Sequence, residues 1–254
     1  MIHCGDNLEI MRSMDDGSID LIYLDPPFNS KRNYGEFDDR WSGDGEYIDF
    51  MTARLVQCHR LLANTGSIYL HCDPTMSHYL KVVMDTIWGR SNFRNEIIWC
   101  YTGSNNVTRR FPRKHDTILF YAQSEATGFN ADAVRVPYKI KKVSTRSNSR
   151  NYTDEEKEAL SKRGKVVESW WADIPNFGTA TGSKERVGYP TQKPLKLLER
   201  IIAASSNPGD TVFDPFCGSG TTLVAAQRLG RLWVGCDMSA NAIAIAKKRL
   251  DEVS

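Results

Sequence analysis

The sequence lacks the features that mark membrane, secreted and disulfide-stabilised proteins. No apolar run among its 254 residues approaches the roughly 18 residues needed to span a bilayer. The start at Met1 has no basic segment followed by an apolar stretch, so no signal peptide is predicted. The six cysteines are scattered and form no CxxC pair, which is typical of reduced thiols in a cytoplasmic protein. The five histidines are dispersed, and no metal site is predicted.

The net charge is only +2, but it is unevenly distributed. Residues 101–188 contain 16 Lys and Arg against 10 Asp and Glu, a net of +6 that leaves −4 for the rest of the chain. A basic segment on a mildly acidic body predicts contact with a polyanion such as DNA or RNA, with a solvated loop as the alternative. The candidate DNA-binding residues are Arg109, Arg110, Arg113, Lys114, Lys139, Lys141, Lys142 and Arg146.

Strands and helices alternate along both ends of the chain, and apolar residues make up 41% of it, enough for a substantial core. This alternation predicts an α/β fold with a doubly wound, mostly parallel sheet. It breaks between Tyr101 and Gly188, which predicts an insert. Strands are predicted at 2–4, 19–24, 67–72, 93–101, 117–122, 211–214 and 232–236. Helices are predicted at 6–14, 46–63, 75–88, 154–163, 194–205, 219–229 and 239–253.

One unusual motif follows the predicted strand at 19–24. It reads Asp25-Pro26-Pro27-Phe28. The two prolines fix their φ angles and lack N–H groups, so the backbone is stiff and its carbonyls remain available as acceptors. A carboxylate, a bare carbonyl and a flat aromatic face together suit a planar group that carries an exocyclic amine. The structural alternative is a proline-rich turn with Phe28 in the core.

A glycine-containing turn lies between a strand and a helix near the C-terminus, over residues 214–222. Gly218 and Gly220 allow the backbone to turn sharply beside a ligand. Asp237, at the end of the next strand, is spaced as the carboxylate that binds ribose hydroxyls in nucleotide-binding folds. Leu223 stands where a dinucleotide fingerprint needs a third glycine, and no P-loop lysine follows. The pattern favours a nucleoside without a pyrophosphate, such as S-adenosylmethionine, and a capped strand–helix turn is the alternative.

Together these stretches resemble the amino-methylating DNA methyltransferases that use S-adenosylmethionine. The family's catalytic signature, (D/N/S)-P-P-(Y/F), is matched by residues 25–28, and its cofactor signature, D-P-F-x-G-S-G-T-T, by residues 214–222. Residues 189–194, Tyr-Pro-Thr-Gln-Lys-Pro, are similar to an additional cofactor-binding segment, and residues 5–9 are similar to the opening motif. The order of the motifs resembles the β-class arrangement, in which the insert is the target-recognition region.

The resemblance implies that Asp25, Pro26, Pro27 and Phe28 are the catalytic residues. If Asp25 and the Pro26 carbonyl accept hydrogen bonds from a nucleobase amine, the nitrogen regains its lone pair and can attack an activated methyl group. The main task of the protein is then to position the amine. The base must leave the duplex to be reached, and Phe28 offers it a stacking surface. Cofactor-binding roles are implied for Asp6, Lys193, Asp214, Phe216, Gly218, Ser219, Gly220, Thr221 and Asp237.

The expected target is the N6 amine of adenine, because cytosine-N4 enzymes of the family more often carry Ser in place of Asp25. Cytosine N4 remains the alternative. A cytosine-C5 enzyme would need a Pro-Cys nucleophile, and no cysteine here follows a proline. The more distant alternatives are a nucleotide-dependent oxidoreductase on a Rossmann-type sheet, a catalytically silent DNA-binding module and an RNA-modifying relative.

The resemblance also implies a division of the chain and a set of partners. Residues 1–100 and 189–254 are expected to form a discontinuous catalytic domain of the Rossmann-like methyltransferase fold, and residues 101–188 an inserted target-recognition region. Double-stranded DNA is the expected substrate, and a homodimer in the cytoplasm, without membrane contact, is the expected state. A cognate restriction endonuclease is a possible further partner implied by the resemblance.

Overall fold

The computed structural model describes residues 1–103, 106–138, 153–178 and 183–253. Twelve strands are found there, and eight of them form one large sheet at the centre of the molecule. The strands are β1 (Ile2–Cys4), β2 (Ile19–Leu24), β3 (Arg32–Asn33), β4 (Asp38–Asp39), β5 (Leu62–Cys72), β6 (Phe93–Cys100), β7 (His115–Ala122), β8 (Arg135–Val136), β9 (Lys165–Val166), β10 (Trp170–Trp171), β11 (Thr211–Asp214) and β12 (Leu232–Asp237).

The strand order in the large sheet is β1-β12-β11-β2-β5-β7-β6-β10. All neighbouring pairs are parallel except the two formed by β7, which runs antiparallel to β5 and to β6. The helices are α1 (Asn7–Arg12), α2 (Asp44–Leu61), α3 (Ser77–Trp88), α4 (Asp154–Arg163), α5 (Leu195–Ser205), α6 (Thr221–Arg228) and α7 (Ala240–Asp251). The predicted α/β fold with a mostly parallel sheet is confirmed.

Helices cover both faces of the sheet, and β2 shows how. Successive side chains of a strand point to opposite faces. Leu21 and Tyr23 belong to a cluster with the apolar sides of α5, α6 and α7, whereas Ile22 and Leu24 belong to a cluster with those of α1, α2 and α3. Because β2 is buried on both faces from Leu21 to Leu24, these four residues form a continuous apolar run rather than an alternating one.

Most predicted elements lie within two residues of the observed ones, but the boundary between α2 and β5 was predicted wrongly. The helix ends at Leu61 and the strand begins at Leu62, five residues before the predicted start at Ser67. Leu62 pairs with Ile19, so tertiary pairing extends the strand back through residues that local sequence did not assign to it. A Cβ at Gly66 would lie 2.9 Å from the Ala63 carbonyl oxygen, which explains the glycine by close packing.

The parallel strands β2, β5, β6, β11 and β12 all end at one edge of the sheet, which we call the carboxyl edge. Two strands from the predicted insert, β7 and β10, belong to this same sheet. The division of the chain at residues 101–188 stays a prediction, but the sheet includes part of that segment. The segment that joins β6 to β7 begins at the carboxyl edge, beside the ends of β2 and β5.

Candidate functional site

The carboxyl edge holds a cavity of about 420 Å³. In open α/β sheets, ligands bind in the crevice beyond the carboxyl ends of the strands. Both motifs line this one cavity: the loop after β2 and the glycine turn after β11. The predicted residues that line it are Asp25, Pro26, Pro27, Phe28, Lys193, Asp214, Phe216, Gly218, Ser219, Thr221 and Asp237. Asp6 and Gly220 were also predicted for the site, but neither is among the lining residues.

Asp25 forms an ion pair with Lys193. The ammonium Nζ donates to Oδ1 at 2.8 Å and to Oδ2 at 2.7 Å. Both side chains are mostly buried, with 16% of Asp25 and 11% of Lys193 exposed. The same ammonium lies 5.0 Å from the centre of the Phe28 ring. The Lys193 ammonium therefore lies between the Asp25 carboxylate and the Phe28 ring. A positively charged donor at this position is stabilised both by the carboxylate and by the aromatic face.

Asp39, at the end of β4, holds the loop that carries Phe28, and no motif or spacing singled this residue out. Its carboxylate accepts hydrogen bonds from the backbone N–H groups of Asn29 at 2.7 Å, Ser30 at 2.9 Å and Phe28 at 3.2 Å. The Asp39 residue is 1% exposed. Asn29 has a φ of 59° and Lys31 a φ of 63°, so the chain turns sharply after the motif. The buried carboxylate thus fixes a turn in which Lys31, unlike Asn29, is a residue type that rarely adopts a positive φ.

The glycine turn is held by two carboxylates. Asp214 accepts from the Phe216 N–H at 2.9 Å and from the Thr222 hydroxyl at 2.5 Å. Burial, together with the charges of Asp25 and Asp237, raises the pKa of Asp214 to about 7 although these hydrogen bonds act to lower it. Asp237 accepts from the N–H groups of Gly218 and Ser239 at 3.0 and 2.8 Å, and burial raises its pKa as well.

The two glycines of this turn have different neighbours. A Cβ at Gly218 would lie 3.2 Å from a ring carbon of Tyr189, so this backbone lies against the aromatic residue that opens the segment 189–194. A Cβ at Gly220 would lie 2.7 Å from the Cβ of Ala246 on α7. Gly220 therefore allows two helices to pack closely, and its φ of 78° places it in the left-handed region that favours glycine.

Arg249 supports the same turn from α7. It is 8% exposed, and its Nη1 donates to the Ser219 carbonyl at 2.8 Å and to the Thr221 hydroxyl at 3.0 Å. Burial lowers the pKa of Arg249, with the neighbouring carboxylates acting in the opposite direction. This basic residue sits among other charged residues of an amphipathic helix, so its sequence position alone did not single it out.

Asp6 lies outside the cavity and supports it indirectly. One of its oxygens caps α1 through the Leu8 N–H at 2.9 Å and accepts from Arg54 at 3.0 Å. Arg54 also donates to Asn7, whose amide donates to the Pro215 carbonyl at 2.8 Å. The opening motif is therefore connected to the glycine turn through Asn7, a residue that lines the cavity and was not predicted for the site.

A hairpin closes the cavity on one side. The turn between β3 and β4 carries Glu36, whose carboxylate accepts from the Ser239 hydroxyl and from the Asn241 amide, each at 2.9 Å. These residues begin α7, directly after Asp237. The segment 29–45 therefore joins the Asp25 side of the cavity to the Asp237 side.

A chain of hydrogen bonds lies beneath Phe28. His71, fully buried, has its Nδ1 2.7 Å from the Tyr23 hydroxyl and its Nε2 3.1 Å from Asp116 Oδ2. The Tyr101 hydroxyl donates to the other Asp116 oxygen at 2.9 Å. Burial acts to raise the pKa of Asp116, but its hydrogen bonds to His71 and Tyr101 and nearby positive charge bring it below its ordinary value. The ring centres of His71 and Phe28 are 5.6 Å apart.

A second, wider cavity of about 890 Å³ opens beside the first and shares Phe28 and Lys193 with it. Arg110 and Arg113, two of the predicted DNA-binding residues, line it. Arg109 is exposed, and Lys114 is half-buried with its carbonyl accepting from the Tyr101 N–H. Three more basic residues, Lys31, Arg32 and Arg186, line the same cavity. The predicted Lys139, Lys141, Lys142 and Arg146 lie outside the described residues.

Other elements of the described chain bear on what the site can hold. All six cysteines are free thiols. Across the described ranges, no group of three or more His, Cys, Asp or Glu side chains is placed to hold a metal ion. No helix in those ranges is long and apolar enough to cross a bilayer.

Comparisons with known proteins identify the family of the chain. A sequence model of the family described as DNA methylase matches residues 19–248. The chain is 32% identical over 249 residues to the Type II methyltransferase M.HpaI of Haemophilus parainfluenzae, covering 98% of this chain and 73% of that protein. It is 31% identical over 258 residues to the DNA adenine methyltransferase YhdJ of Escherichia coli K12, covering 100% of this chain and 83% of that protein.

Solved structures show the same fold. The complex of M1.HpyAVI with SAM is 21% identical, with a TM-score of 0.64 and coverage of 99% of this chain and 98% of the other. The cytosine-N4-specific PvuII DNA methyltransferase is 18% identical, with a TM-score of 0.70 and coverage of 98% and 85%. The extent of the family match and the identity to full-length relatives confirm the predicted resemblance, and the chain belongs to the DNA methylase family.

Proposed function

We propose that this protein transfers a methyl group from S-adenosylmethionine to the N6 amine of an adenine flipped out of duplex DNA. The observation that carries the proposal is the shared cavity, in which Asp25, the Phe28 ring and the Gly218 turn face one space. The name of YhdJ, a DNA adenine methyltransferase aligned with the whole chain, supports adenine. The cytosine-N4 alternative is supported by the similarity of fold to the PvuII enzyme, whose sequence identity of 18% is lower than the 31% to YhdJ.

The residues of the cavity fit the cofactor. A volume of about 420 Å³ lies within the range of roughly 300–1,000 Å³ that small-molecule sites occupy. Asp237 and Glu36 supply carboxylates suited to ribose hydroxyls, the Gly218 backbone allows close approach, and Phe50 and Phe216 supply apolar walls. S-adenosylmethionine brings a methyl group already activated by a sulfonium, so the protein's task is to position the amine.

We propose that the amine binds where the structure holds the Lys193 ammonium. The carboxylate of Asp25 and the Pro26 carbonyl then accept hydrogen bonds from the two amine N–H groups, which localises the lone pair on the nitrogen, and Asp25 takes the one proton that the nitrogen loses when it is methylated. Phe28 carries the ring, and Asp39 keeps Phe28 in place through the three backbone N–H groups that it binds. Lys193 keeps Asp25 charge-compensated between turnovers, and can also bind the carboxylate of the cofactor, as its motif implies.

We propose that DNA enters through the second cavity, where basic side chains meet the open face of Phe28. The predicted division of the chain is retained in part: residues 1–100 and 189–254 build the methyl-transfer site, and the portions of 101–188 outside the sheet strands recognise the target. The enzyme acts in the cytoplasm as a homodimer, in which two small chains together contact a longer stretch of the duplex. A cognate restriction endonuclease would be its biological partner.

The test is to express the protein in a host that lacks DNA methylation, digest the DNA to nucleosides and analyse them by mass spectrometry. N6-methyladenine is expected, and it should be missing from cells that express Asp25→Ala at the same level. N4-methylcytosine would overturn the choice of adenine. Sequencing of the methylated positions in the same DNA defines the recognition site, and sedimentation of the purified protein tests the dimer.

A further inference from the structure

Phe111 is 95% exposed, the highest value among the large apolar side chains of the described residues. A single apolar residue at a surface is ordinary, so exposure alone assigns nothing. The backbone around Phe111, however, is stiff. Pro112 follows it, and a residue before proline is restricted to extended conformations while the proline fixes the next φ. The ring is therefore displayed to solvent from a part of the backbone in which two consecutive residues are conformationally restricted.

The segment is anchored at the carboxyl edge. It joins β6 to β7, and the Tyr101 N–H closes its base by donating to the Lys114 carbonyl at 2.9 Å. Arg113, two residues after Phe111, donates to the Thr75 hydroxyl at 2.9 Å. Thr75 follows β5 and lines the same cavity as Phe28. Arg110, the residue directly before Phe111, lines this cavity as well, and consecutive Cα atoms are only about 3.8 Å apart. The backbone of Phe111 therefore lies next to the lining of the cavity through which the target base would enter.

The residues around Phe111 define what it meets. Arg109, Arg110 and Arg113 are exposed, and two of them line the cavity. Such a cluster binds phosphates, which carry no surface that a phenyl ring can use. The apolar surface of a duplex is the face of its bases, and it becomes available when a base step opens. An aromatic ring among arginines is the combination that binds backbone and stacks on bases at once.

We propose that Phe111 inserts into the duplex and fills the space that the flipped base leaves. The inference rests on the proposed function, because an enzyme that takes its base out of the stack must compensate the lost stacking. Phe28 receives the base on the protein side, whereas Phe111 replaces it on the DNA side. Phe111 is thus a positioning residue: it acts on the open state of the duplex and not on the reacting amine.

The test compares two duplexes that carry the mapped recognition site. In one the target adenine is paired with thymine, and in the other it faces an abasic position, so that extrusion is already easy. Phe111→Ala should lower single-turnover methyl transfer about tenfold or more on the paired duplex, and the loss should shrink to within about threefold on the abasic one. Phe111→Trp should retain most activity on both. The fluorescence of 2-aminopurine at the target position should rise with the wild type and rise less with Phe111→Ala.

Leu232→Ala is the matched control. This apolar residue is 63% exposed and begins β12, at the edge of the sheet opposite the site. It should leave both rates unchanged. If Phe111→Ala lowers the methyl-transfer rate equally on the two duplexes, or on neither, the insertion of Phe111 is refuted while the enzyme's activity stays established. If the wild type methylates neither duplex, the proposed function itself fails, and the proposed insertion of Phe111 fails with it.

Discussion

Replacing Asp39 by alanine should disable the site without removing the cofactor. The Asp39 carboxylate is buried and accepts from three consecutive backbone N–H groups, those of Phe28, Asn29 and Ser30. A hydrogen bond to a charged group contributes about 1.5–3 kcal/mol, and its partners cost more when they are left unsatisfied in a buried place. Because three bonds share two oxygens, about 3 kcal/mol is a reasonable net value for the set.

This energy keeps Phe28 and Asp25 in the arrangement that the reaction needs. A loss of about 3 kcal/mol lowers the equilibrium constant for that arrangement roughly 100-fold, since each 1.4 kcal/mol is a factor of ten. Single-turnover methyl transfer by Asp39→Ala should fall by up to that factor at saturating cofactor. The dissociation constant of S-adenosylhomocysteine, measured by calorimetry, should change little, because the bonds that hold Asp237 to the Gly218 turn and Glu36 to the start of α7 do not involve Asp39.

A matched control is Asp16→Ala. Asp16 lies in the turn before β2, its side chain is 77% exposed, and it pairs with Arg60 at the surface. Such pairs contribute less than about 1 kcal/mol, so activity should stay near the wild-type value. The reasoning would be refuted if Asp39→Ala kept more than a third of the wild-type rate, or if it lost cofactor binding in parallel with turnover.

Two further predictions concern stability, and both are measured by urea unfolding. Because the pKa of Asp214 is raised to about 7, the folded state binds more protons than the unfolded chain between roughly pH 4 and 7. The free energy of unfolding should therefore fall by up to about 4 kcal/mol as the pH rises through that window. Asp214→Asn should remove this component, and equal pH slopes in both proteins would contradict the buried-acid assignment. Gly220→Ala should cost about 2–4 kcal/mol because its Cβ would meet Ala246 at 2.7 Å. Gly209→Ala, with a similar positive φ and no atom within 4 Å, should cost only about 1 kcal/mol, and equal costs at the two positions would show that the Ala246 contact is irrelevant.

Local patterns were sufficient to predict where the main carboxylates lie. Asp25, Asp214 and Asp237 each follow a short apolar strand, and parallel strands end at a common edge, so their convergence follows from chain order and topology. The strand at 19–24 was likewise predicted from its apolar residues, and the observed β2 has the same bounds. These predictions needed only the period of the side chains and the positions of the turns.

The residues that hold those carboxylates and loops in place could not be predicted in this way. Asp39 stands beside Asp38, and no spacing distinguishes the buried carboxylate from its exposed neighbour. Glu36 meets Ser239 across 203 positions of sequence, a pairing that only the folded chain creates. Gly220 was predicted to approach the cofactor, whereas the structure packs it against α7; a glycine pattern does not reveal which neighbour requires the missing side chain.

The central claim is that Asp25 holds the target amine in the cavity that also binds the cofactor. Its most direct test is the single-turnover rate of methyl transfer by Asp25→Ala, with S-adenosylmethionine and the mapped duplex both saturating. The claim predicts that the rate falls at least about a hundredfold, the size of effect expected when a group that manages the reacting hydrogens is removed. A rate within about threefold of wild type would show that the amine is held elsewhere.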